Sequence, residues 1–469
     1  MSGIFGMINL SRCPFNPEKI ARAWKRIEHR GRDELALWVD GTEMRGKSAE
    51  KLAGRIPENF RVLIAQNTLR TTLQARSLSS GHTKIIACDG EVFNLRELGY
   101  EKADFALFER DLRKVNGIYA CCACDLKRNV LEVFRDPLGV NPLCYIRGKN
   151  FFAFASEAKA LRVFAENSEI EHLNPRKILH LSLSTGKICT SRHPVKINLF
   201  PKIFTKNYEK LEELIFRAVE VQTRRLKKFG IMFSGGVDSA LLARICQKLE
   251  RKFTCYCAGV EGSEDLETAR RVADEFGMKL REVVVSEDEM EHAIKRVARA
   301  IETNDFVQVS VALPFYFASL RSAKDENRVI FSGLGSEELF AGYYKYRKLA
   351  SLPRALHQRC ARDVENLYAK DLYRDNCTVA SNAQELRVPF LDVQLVNFAM
   401  RISPEVKVFN GTEKYVLRRV AERYLGEFAW RRKRASQYGS GAAKLIEKLA
   451  RKKGFKRKSD FVKFIVREN

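Results

Sequence analysis

The stretch Gly230-Ile-Met-Phe-Ser-Gly-Gly-Val-Asp-Ser239 decides how the second half of this chain folds. Its apolar start, Gly230–Phe233, predicts a strand, and the residues from Ser239 to Arg251 predict a helix. The two adjacent glycines allow a tight turn and leave no Cβ to obstruct an oxyanion. Backbone N–H groups, two serine hydroxyls and the helix N-terminus then converge on phosphate. We therefore predict a phosphate-binding loop.

The loop, Ser234–Ser239, contains no lysine after its glycines, so it is not a Walker loop. This departure predicts that the loop clasps a leaving pyrophosphate, and hence that ATP is split between its α- and β-phosphates. Asp238 can hold Mg²⁺, a hard cation that prefers carboxylate and phosphate oxygens. The competing interpretation is a plain glycine turn with a capping serine.

Helix-like and strand-like segments alternate around this loop, which is typical of a parallel sheet covered by helices. The predicted neighbours are a helix over Tyr208–Arg225, a strand over Phe253–Val260, a helix over Asp265–Phe276 and a strand over Leu280–Val285. Beyond Leu339 the chain is predicted to be mostly helical. We expect an α/β domain over residues 207–469.

The first part of the chain has a different pattern, with short strands separated by Gly, Asn and Asp. The predicted strands are Lys84–Cys88, Ile118–Cys124, Val130–Arg135 and Phe151–Ala155, and a helix is predicted over Pro17–Glu28. We expect an antiparallel, β-rich α+β domain over residues 1–195. The polar stretch Ser191–Lys206 contains two prolines and is predicted to be a linker.

Composition excludes several classes of protein. No apolar run among the 469 residues approaches the roughly 20 needed to span a bilayer, and the N-terminus does not resemble a signal peptide, so we expect a soluble cytoplasmic protein without membrane contact. The 12 cysteines include several in apolar, strand-like runs, where cysteine usually acts as a small hydrophobe. No paired C-x-x-C motifs with zinc spacing occur, which argues against a structural metal.

The net charge is +25, and much of it lies at the C-terminal end. Residues 431–469 hold 14 Lys and Arg against 3 Asp and Glu. One hypothesis is a patch that binds RNA or another polyanion. The other is a solvated helical tail, which the scarcity of aromatic residues for base stacking favours. The sequence leaves both open.

Seven motifs carry a resemblance to a known family. They are Phe331-Ser-Gly-Leu-Gly-Ser-Glu-Glu-Leu-Phe-Ala-Gly-Tyr343, Glu385-Leu-Arg-Val-Pro-Phe-Leu-Asp392, Glu413-Lys-Tyr-Val-Leu-Arg418, Ala429-Trp-Arg-Arg-Lys433, Asp89-Gly-Glu-Val-Phe-Asn94, Arg135-Asp-Pro-Leu-Gly139 and Phe154-Ala-Ser-Glu157. The chain resembles asparagine synthetase and the asparagine synthetase domain-containing proteins, from its N-terminus to about Ser440.

The resemblance implies two linked chemistries and two folds. The first domain would be a class II glutamine amidotransferase with an N-terminal-nucleophile fold, which releases ammonia. The second would be an ATP-pyrophosphatase domain that adenylates a carboxylate, typically the side chain of aspartate, after which ammonia displaces AMP. The expected small-molecule partners are therefore ATP with Mg²⁺, aspartate or another carboxylate, and glutamine or ammonia. The oligomeric state stays open, with a homodimer among the alternatives.

The resemblance also assigns residues to the adenylating site. The nucleotide positions are Met232, Ser234, Gly235, Gly236, Asp238, Ser239, Ala258, Ser332 and Gly333. Asp238 and Glu337 fall at the magnesium positions, although the family usually has Asp at the second. Lys414 matches the lysine that faces the acyl adenylate, where a cation stabilises developing charge. Lys433 is a second candidate for that role, with an ordinary place in the basic tail as the equal alternative.

For glutamine hydrolysis, Ser2 occupies the place of the nucleophilic cysteine. Gly90, Glu91, Asp104 and Arg70 fall where the family binds glutamine, with ordinary surface charge as the alternative for the charged ones. Asp89 replaces an Asn that donates a hydrogen bond to the tetrahedral oxyanion.

Three departures from the family pattern weaken the linked chemistry. A serine hydroxyl ionises far less readily than a thiol, although the α-amino group of Ser2 could act as its base. The sequence does not reveal whether Ser2 is natural or an engineered replacement. An ionised Asp89 cannot donate to an oxyanion. Leu334 replaces a glutamate thought to accept a proton from ammonia, and leucine cannot act as a base.

These departures keep two other hypotheses open beside an amide-forming ligase. An RNA-modifying adenylating enzyme would use the same loop, and its RNA would suit the positive charge. A non-catalytic paralogue would bind nucleotide without turnover.

Overall fold

The computed structural model describes residues 2–11, 13–72, 78–81, 83–95, 97–99, 112–165, 168–201, 205–431 and 435–467. The chain divides into two compact units, residues 1–197 and residues 198–469.

The first unit is built mainly of strands. These are β1 Gly3–Asn9, β2 Glu34–Val39, β3 Thr42–Gly46, β4 Val62–Thr68, β5 Ser79–Ser80, β6 Lys84–Val92, β7 Gly117–Asp125, β8 Val130–Arg135, β9 Cys144–Arg147, β10 Phe151–Ala155, β11 Ile170–His172, β12 Lys177–Ser182 and β13 Ile188–Arg192. The described α-helices of this unit are α1 Pro17–Lys25, α2 Ala49–Ala53 and α3 Ala158–Leu161.

The described strands of the first unit form two antiparallel sheets. Their orders are β11-β9-β10-β1-β4-β2-β3 and β13-β12-β8-β7-β6-β5. Ile4 and Ile8 of β1 lie in one buried cluster with Cys122 of β7 and Val133 of β8, so apolar residues of the two sheets meet in a shared core. This arrangement fits the predicted antiparallel, β-rich class. It also places the chain's second residue at the start of a central strand.

The predicted elements of this unit agree with the structure, with small shifts at their ends. The strands Val130–Arg135 and Phe151–Ala155 have the predicted bounds. The strand from Lys84 continues to Val92 and therefore includes Asp89. The first helix ends at Lys25, three residues before the predicted end.

Cys88 of β6 lies directly opposite Cys121 of β7, and the two form a disulfide. The prediction that cysteines in strand-like runs act as small hydrophobes is wrong for this pair. The pattern of a single strand does not show which residue lies opposite it, and cross-strand neighbours are close enough to be bridged. The prediction is confirmed for Cys122, Cys124 and Cys255, which are buried and free.

The second unit alternates strands with helices. Its strands are β14 Phe229–Met232, β15 Phe253–Gly259, β16 Leu280–Val284, β17 Val329–Phe331 and β18 Glu385–Arg387. Its described α-helices are α4 Tyr208–Thr223, α5 Val237–Lys248, α6 Glu264–Glu275, α7 Glu287–Ile301, α8 Phe306–Lys324, α9 Ser336–Leu339, α10 Tyr344–Arg347, α11 Pro353–Asn366, α12 Asp371–Ala380, α13 Val393–Met400, α14 Tyr415–Leu425, α15 Ser436–Gly439, α16 Ala442–Lys452 and α17 Lys458–Arg467.

The five described strands of this unit form one parallel sheet in the order β16-β15-β14-β17-β18. Parallel strands end at a common edge, so the loops that follow β14, β15 and β17 lie close together. The six elements predicted between Tyr208 and Val285 all occur, and each end lies within three residues of its predicted position. The α/β prediction is confirmed.

Within the basic C-terminal segment, α16 and α17 are two amphipathic helices. Ile446, Leu449 and Phe461 are buried in one cluster with residues of α7 and α8, such as Ile294. The lysines of α16, including Lys444, are exposed. The apolar side of this segment therefore belongs to the core of the unit, and its other side forms a charged surface. No described helix combines the length and the apolar character that a membrane span requires.

We predict that Ile446→Ala lowers the free energy of unfolding by about 2–5 kcal/mol, because it leaves a cavity in a buried cluster. Lys444→Ala on the same helix is the matched control and should change stability by less than about 0.5 kcal/mol. Urea denaturation followed by circular dichroism measures both. Equal stabilities of the two variants would mean that the tail does not contribute to the core of the unit.

Candidate functional site

The predicted phosphate loop joins β14 to α5. Gly235 has φ +67°, and a Cβ there would lie 2.9 Å from the carbonyl oxygen of Thr268, so only glycine fits without displacing that backbone. Gly236 is the N-cap residue of α5 and makes no side-chain capping bond, which leaves the first N–H groups of the helix available to an anion. Ser239 donates its hydroxyl to the carbonyl oxygen of Gly236 at 3.1 Å.

A second loop, after β17, contacts the first. A Cβ on Gly333 would lie 2.7 Å from Cβ of Asp238, so the absence of a side chain allows the two loops to touch. Ser332 is buried, and its backbone N–H donates to the carbonyl oxygen of Arg387 at 3.0 Å. The predicted nucleotide residues of both loops are thus brought together at one edge of the sheet.

Lys414 links these loops through its ammonium group. Its Nζ lies 2.6 Å from Oδ2 of Asp238 and 2.7 Å from Oε1 of Glu337. A third bond runs from Nζ to the hydroxyl oxygen of Ser336 at 3.2 Å. Burial alone would lower the pKa of Lys414, but the two carboxylates outweigh burial and raise it. The lysine therefore stays protonated at neutral pH.

The backbone near this cluster is shaped to admit the lysine. Lys414 itself has φ +54° and stands as the N-cap residue of α14, a conformation that is uncommon for a residue with a side chain. A Cβ on Gly342 would overlap both the Glu337 carboxylate and the lysine side chain. Backbone strain of this kind is typical of functional sites, where the surrounding structure enforces the conformation.

The remaining predicted nucleotide positions lie at the same edge of the sheet. Met232 is the last residue of β14, and Ala258 is the penultimate residue of β15, its parallel neighbour. Phe233 donates its N–H to Tyr256 at 2.8 Å, so the two strands stay paired up to the start of the phosphate loop. Both strands therefore end next to the phosphate loop.

Asp238 and Glu337 fit the requirements of a magnesium ion. Both reach the same ammonium, so their oxygens converge on one small region. No group of three or more candidate ligands occurs among the described residues, and Mg²⁺ needs none because it takes one or two carboxylates together with substrate phosphates. These two carboxylates would hold the ion, with Glu337 supplying a longer arm than Asp.

Leu334 lies in the second loop and is partly exposed; its N–H donates to the hydroxyl of Ser332 at 3.3 Å. Its side chain offers no proton acceptor. Four residues further on, Glu338 is buried and accepts a hydrogen bond from the Tyr343 hydroxyl at 2.7 Å. Burial raises the pKa of Glu338 to about 7.

In the first unit, Ser2 and Asp89 are in direct contact. The main-chain nitrogen of Ser2 donates to Oδ1 of Asp89 at 2.7 Å, and the Ser2 hydroxyl oxygen accepts from the N–H of Leu69 at 3.4 Å. Arg30 donates to Oδ2 of Asp89 at 3.0 Å and to the carbonyl oxygen of Ser2 at 3.0 Å. Both Asp89 oxygens therefore already accept hydrogen bonds.

Arg30 extends this cluster to a second carboxylate. It is fully buried and donates to Glu157 at 2.7 Å. His29 lies 3.1 Å from the same Glu157 oxygen, and Lys159 contacts the other oxygen. Burial opposes ionisation of Glu157, but Lys159, His29 and Arg30 outweigh it and hold the pKa of this carboxyl well below its usual range.

The predicted glutamine-binding residues are only partly brought together. Gly90 and Glu91 follow Asp89 on β6, and Glu91 is buried on the same face of the strand as Asp89. Arg70 is mostly exposed and pairs with Glu34 at 2.8 Å, so its predicted bond to a glutamine carboxylate would require this pair to open. Asp104 and Lys433 lie outside the described residues.

The sequence reasoning missed Arg30, Glu157, Ser336 and Gly342. A signal for Arg30 was present, because two acidic residues in apolar strand contexts, at 89 and 157, need a buried cation. The need for Gly342 depends on side chains that approach it from elsewhere in the fold, and no local pattern shows that.

The chain is similar to several known proteins. Residues 210–355 and 348–467 match the family model described as asparagine synthase, and residues 66–163 match a glutamine amidotransferase domain. A protein of Methanocaldococcus jannaschii named "putative asparagine synthetase (glutamine-hydrolyzing) 1" is 33% identical, over 92% of this chain and 93% of its own length. The Homo sapiens asparagine synthetase (glutamine-hydrolyzing) is 29% identical, over 72% of this chain and 66% of its own. The chain therefore belongs to the asparagine synthase family of ATP-dependent carbon–nitrogen ligases.

Proposed function

We propose that this protein adenylates the side-chain carboxylate of aspartate and converts it to the amide with ammonia, with AMP and pyrophosphate as the other products. The observation that carries the proposal is the Lys414 ammonium, held 2.6 Å from Asp238 of the phosphate loop and 2.7 Å from Glu337 of the second loop. Aspartate is the acceptor that the names of the relatives indicate.

Each group has a distinct task in this reaction. The N–H groups at the start of α5 bind the phosphates that leave as pyrophosphate, because they carry no other capping partner. Lys414 places a fixed positive charge where the carboxylate attacks the α-phosphate and negative charge accumulates. Mg²⁺ held by Asp238 and Glu337 would supply a hard Lewis acid that offsets the charge of the departing pyrophosphate.

Ammonia is the proposed nitrogen donor because the glutamine site lacks two chemical groups. Ser2 provides no thiol, and Asp89 provides no hydrogen-bond donor in its ionised form. Removal of Met1 would make the nitrogen bonded to Asp89 an α-amino group. The Asp89 carboxylate, 2.7 Å away, would then favour the ammonium form, which cannot accept the proton of the Ser2 hydroxyl. Arg30 pairs with the other oxygen of the same carboxylate at 3.0 Å.

A non-catalytic paralogue is the second candidate, and Leu334 favours it because no side-chain base stands at that position. Such a protein would bind ATP without turnover. The distinction lies in the products, since only the ligase releases pyrophosphate and forms asparagine.

We predict that ATP, Mg²⁺, aspartate and ammonium together yield AMP, pyrophosphate and asparagine. Lys414→Met should lower kcat by about 100- to 1000-fold, the usual cost of removing one preorganised charge-stabilising group. Lys252→Met, which changes an exposed lysine in the same unit, is the control and should leave turnover unchanged. Pyrophosphate release and amino-acid analysis measure the reaction. Formation of ADP, or ATP binding with no products, would exclude the ligase.

We predict that Ser2→Cys alone leaves glutamine hydrolysis weak, because Asp89 still supplies no donor to the oxyanion. Ser2→Cys combined with Asp89→Asn should raise the rate about 100-fold over the single variant, since the Asn amide can donate. Arg30 retains Glu157 and the Ser2 carbonyl as partners in both variants. The assay is glutamate release. Strong activity of Ser2→Cys by itself would show that Asp89 does not suppress the reaction.

A further inference from the structure

A basic groove lies on the second unit beside the edge of the sheet that carries the phosphate loop. The groove has a volume of about 690 Å³. Its lining consists of Val260, Gly441, Lys444, Leu445, Glu447, Lys448, Arg451 and Lys452. Val260 directly follows β15, and its N–H donates to the carbonyl oxygen of Ser440 at 2.9 Å. The start of α16 is thereby fixed at the carboxyl edge of the sheet, where the predicted nucleotide residues also lie.

The cations of the groove are only partly neutralised. Lys448 and Lys452 share the Glu287 carboxylate, at 2.5 and 2.6 Å, and Arg451 pairs with Glu447 at 2.6 Å. These are exposed pairs of the kind that contributes little to stability and exchanges readily for other anions.

Three further exposed cations form no ion pair within the part of the chain that the structure describes. They are Lys444, inside the groove, and Lys456 and Arg457, in the turn between α16 and α17. Positive charge therefore continues along the chain beyond α16, which is about 16 Å long at 1.5 Å per residue. A single phosphate or carboxylate would contact only a few of these cations.

An exposed aromatic side chain, Tyr438, lies three residues before Gly441, which lines the groove. Tyr438 is 59% exposed, and its carbonyl oxygen accepts a hydrogen bond from the N–H of Gly441 at 3.1 Å. A large exposed aromatic ring beside a row of cations is the combination that binds single-stranded nucleic acid, through base stacking and phosphate contacts. The scarcity of aromatic residues in this segment favours a plain solvated tail, but a single exposed ring is able to stack on one base.

A membrane surface is a poorer partner for these helices. Basic amphipathic helices bind membranes by inserting their apolar face. The apolar residues of α16 and α17, among them Ile446, Phe461 and Ile465, are buried against α7 and α8. Insertion into a membrane would require the helices to detach from the core of the unit. Binding to the exposed phosphates of a polynucleotide does not require this.

We propose that this groove binds single-stranded RNA, with Lys444, Lys456 and Arg457 on the phosphates and Tyr438 stacked on a base. The proposal does not depend on which acceptor the ligase uses. The groove opens beside the adenylating site, so bound RNA would lie next to that site without entering the phosphate loop.

The test is fluorescence anisotropy of a labelled single-stranded RNA oligonucleotide with the full chain, over a series of salt concentrations. The triple variant Lys444→Ala, Lys456→Ala, Arg457→Ala should bind about tenfold or more weakly at physiological salt. Its slope of log affinity against log salt should be shallower by about 2, since each phosphate contact on a single strand contributes about 0.7. Tyr438→Ala should weaken binding about tenfold and leave the slope unchanged.

A charge-matched control removes three exposed cations elsewhere in the same unit, with Lys252→Ala, Arg354→Ala and Arg362→Ala. This control and Lys414→Met should bind RNA as the wild type does, the latter because Lys414 acts only in adenylation. The proposal is wrong if the wild type does not bind, or if the control loses as much affinity and slope as the groove variant. Equal affinity for duplex RNA and for vesicles of anionic lipid would also overturn it, because neither can use Tyr438.

Discussion

The adenylating unit depends on one shared charge, the ammonium of Lys414 between the Asp238 and Glu337 carboxylates. Asp238 lies in the first turn of α5, Glu337 in α9 and Lys414 at the N-cap of α14, so a single cation fixes the relative positions of three chain segments. Taking these groups out of water costs several kcal/mol for each ion, and only close mutual contact offsets that cost. Gly333 and Gly342 make this closeness sterically feasible, because a side chain at either position would separate the partners.

The amidotransferase unit contains a comparable arrangement with a different consequence. Arg30 lies between Asp89 and Glu157, and all three side chains are fully buried. This arginine explains why an acid is tolerated where the family has Asn. The replacement adds a negative charge to the interior, and the guanidinium together with the Ser2 nitrogen compensates it. The acidic side chain at position 89 is thus accommodated by the structure.

Local patterns were enough to predict much of this structure from the sequence. The phosphate loop could be predicted because a strand, two glycines and a helix start are contiguous, and the alternation around it indicated a parallel sheet. Contacts between distant segments could not be predicted in this way. Arg30 reaches its partners across 59 and 127 residues, and Cys88 meets Cys121 only through the register of two strands. The two hypotheses for the basic tail are not exclusive, since α16 and α17 bury one face and expose the other.

The cluster around Asp89 and the cluster around Lys414 differ in how accessible their charged groups are to a substrate. At Asp89 the carboxylate oxygens accept from Ser2 and Arg30, both buried, and removing one partner of such a cluster costs about 3–5 kcal/mol, which a small ligand would have to supply. At Lys414 the partners are partly accessible, with Glu337 35% exposed and Asp238 14% exposed. A cation that paired with these carboxylates would free the ammonium for a phosphate or a carboxylate, and no buried charge would then be left unpaired. The shared charge at Lys414 thus has partners that a substrate or an ion can reach, whereas the partners of the shared charge at Asp89 are buried.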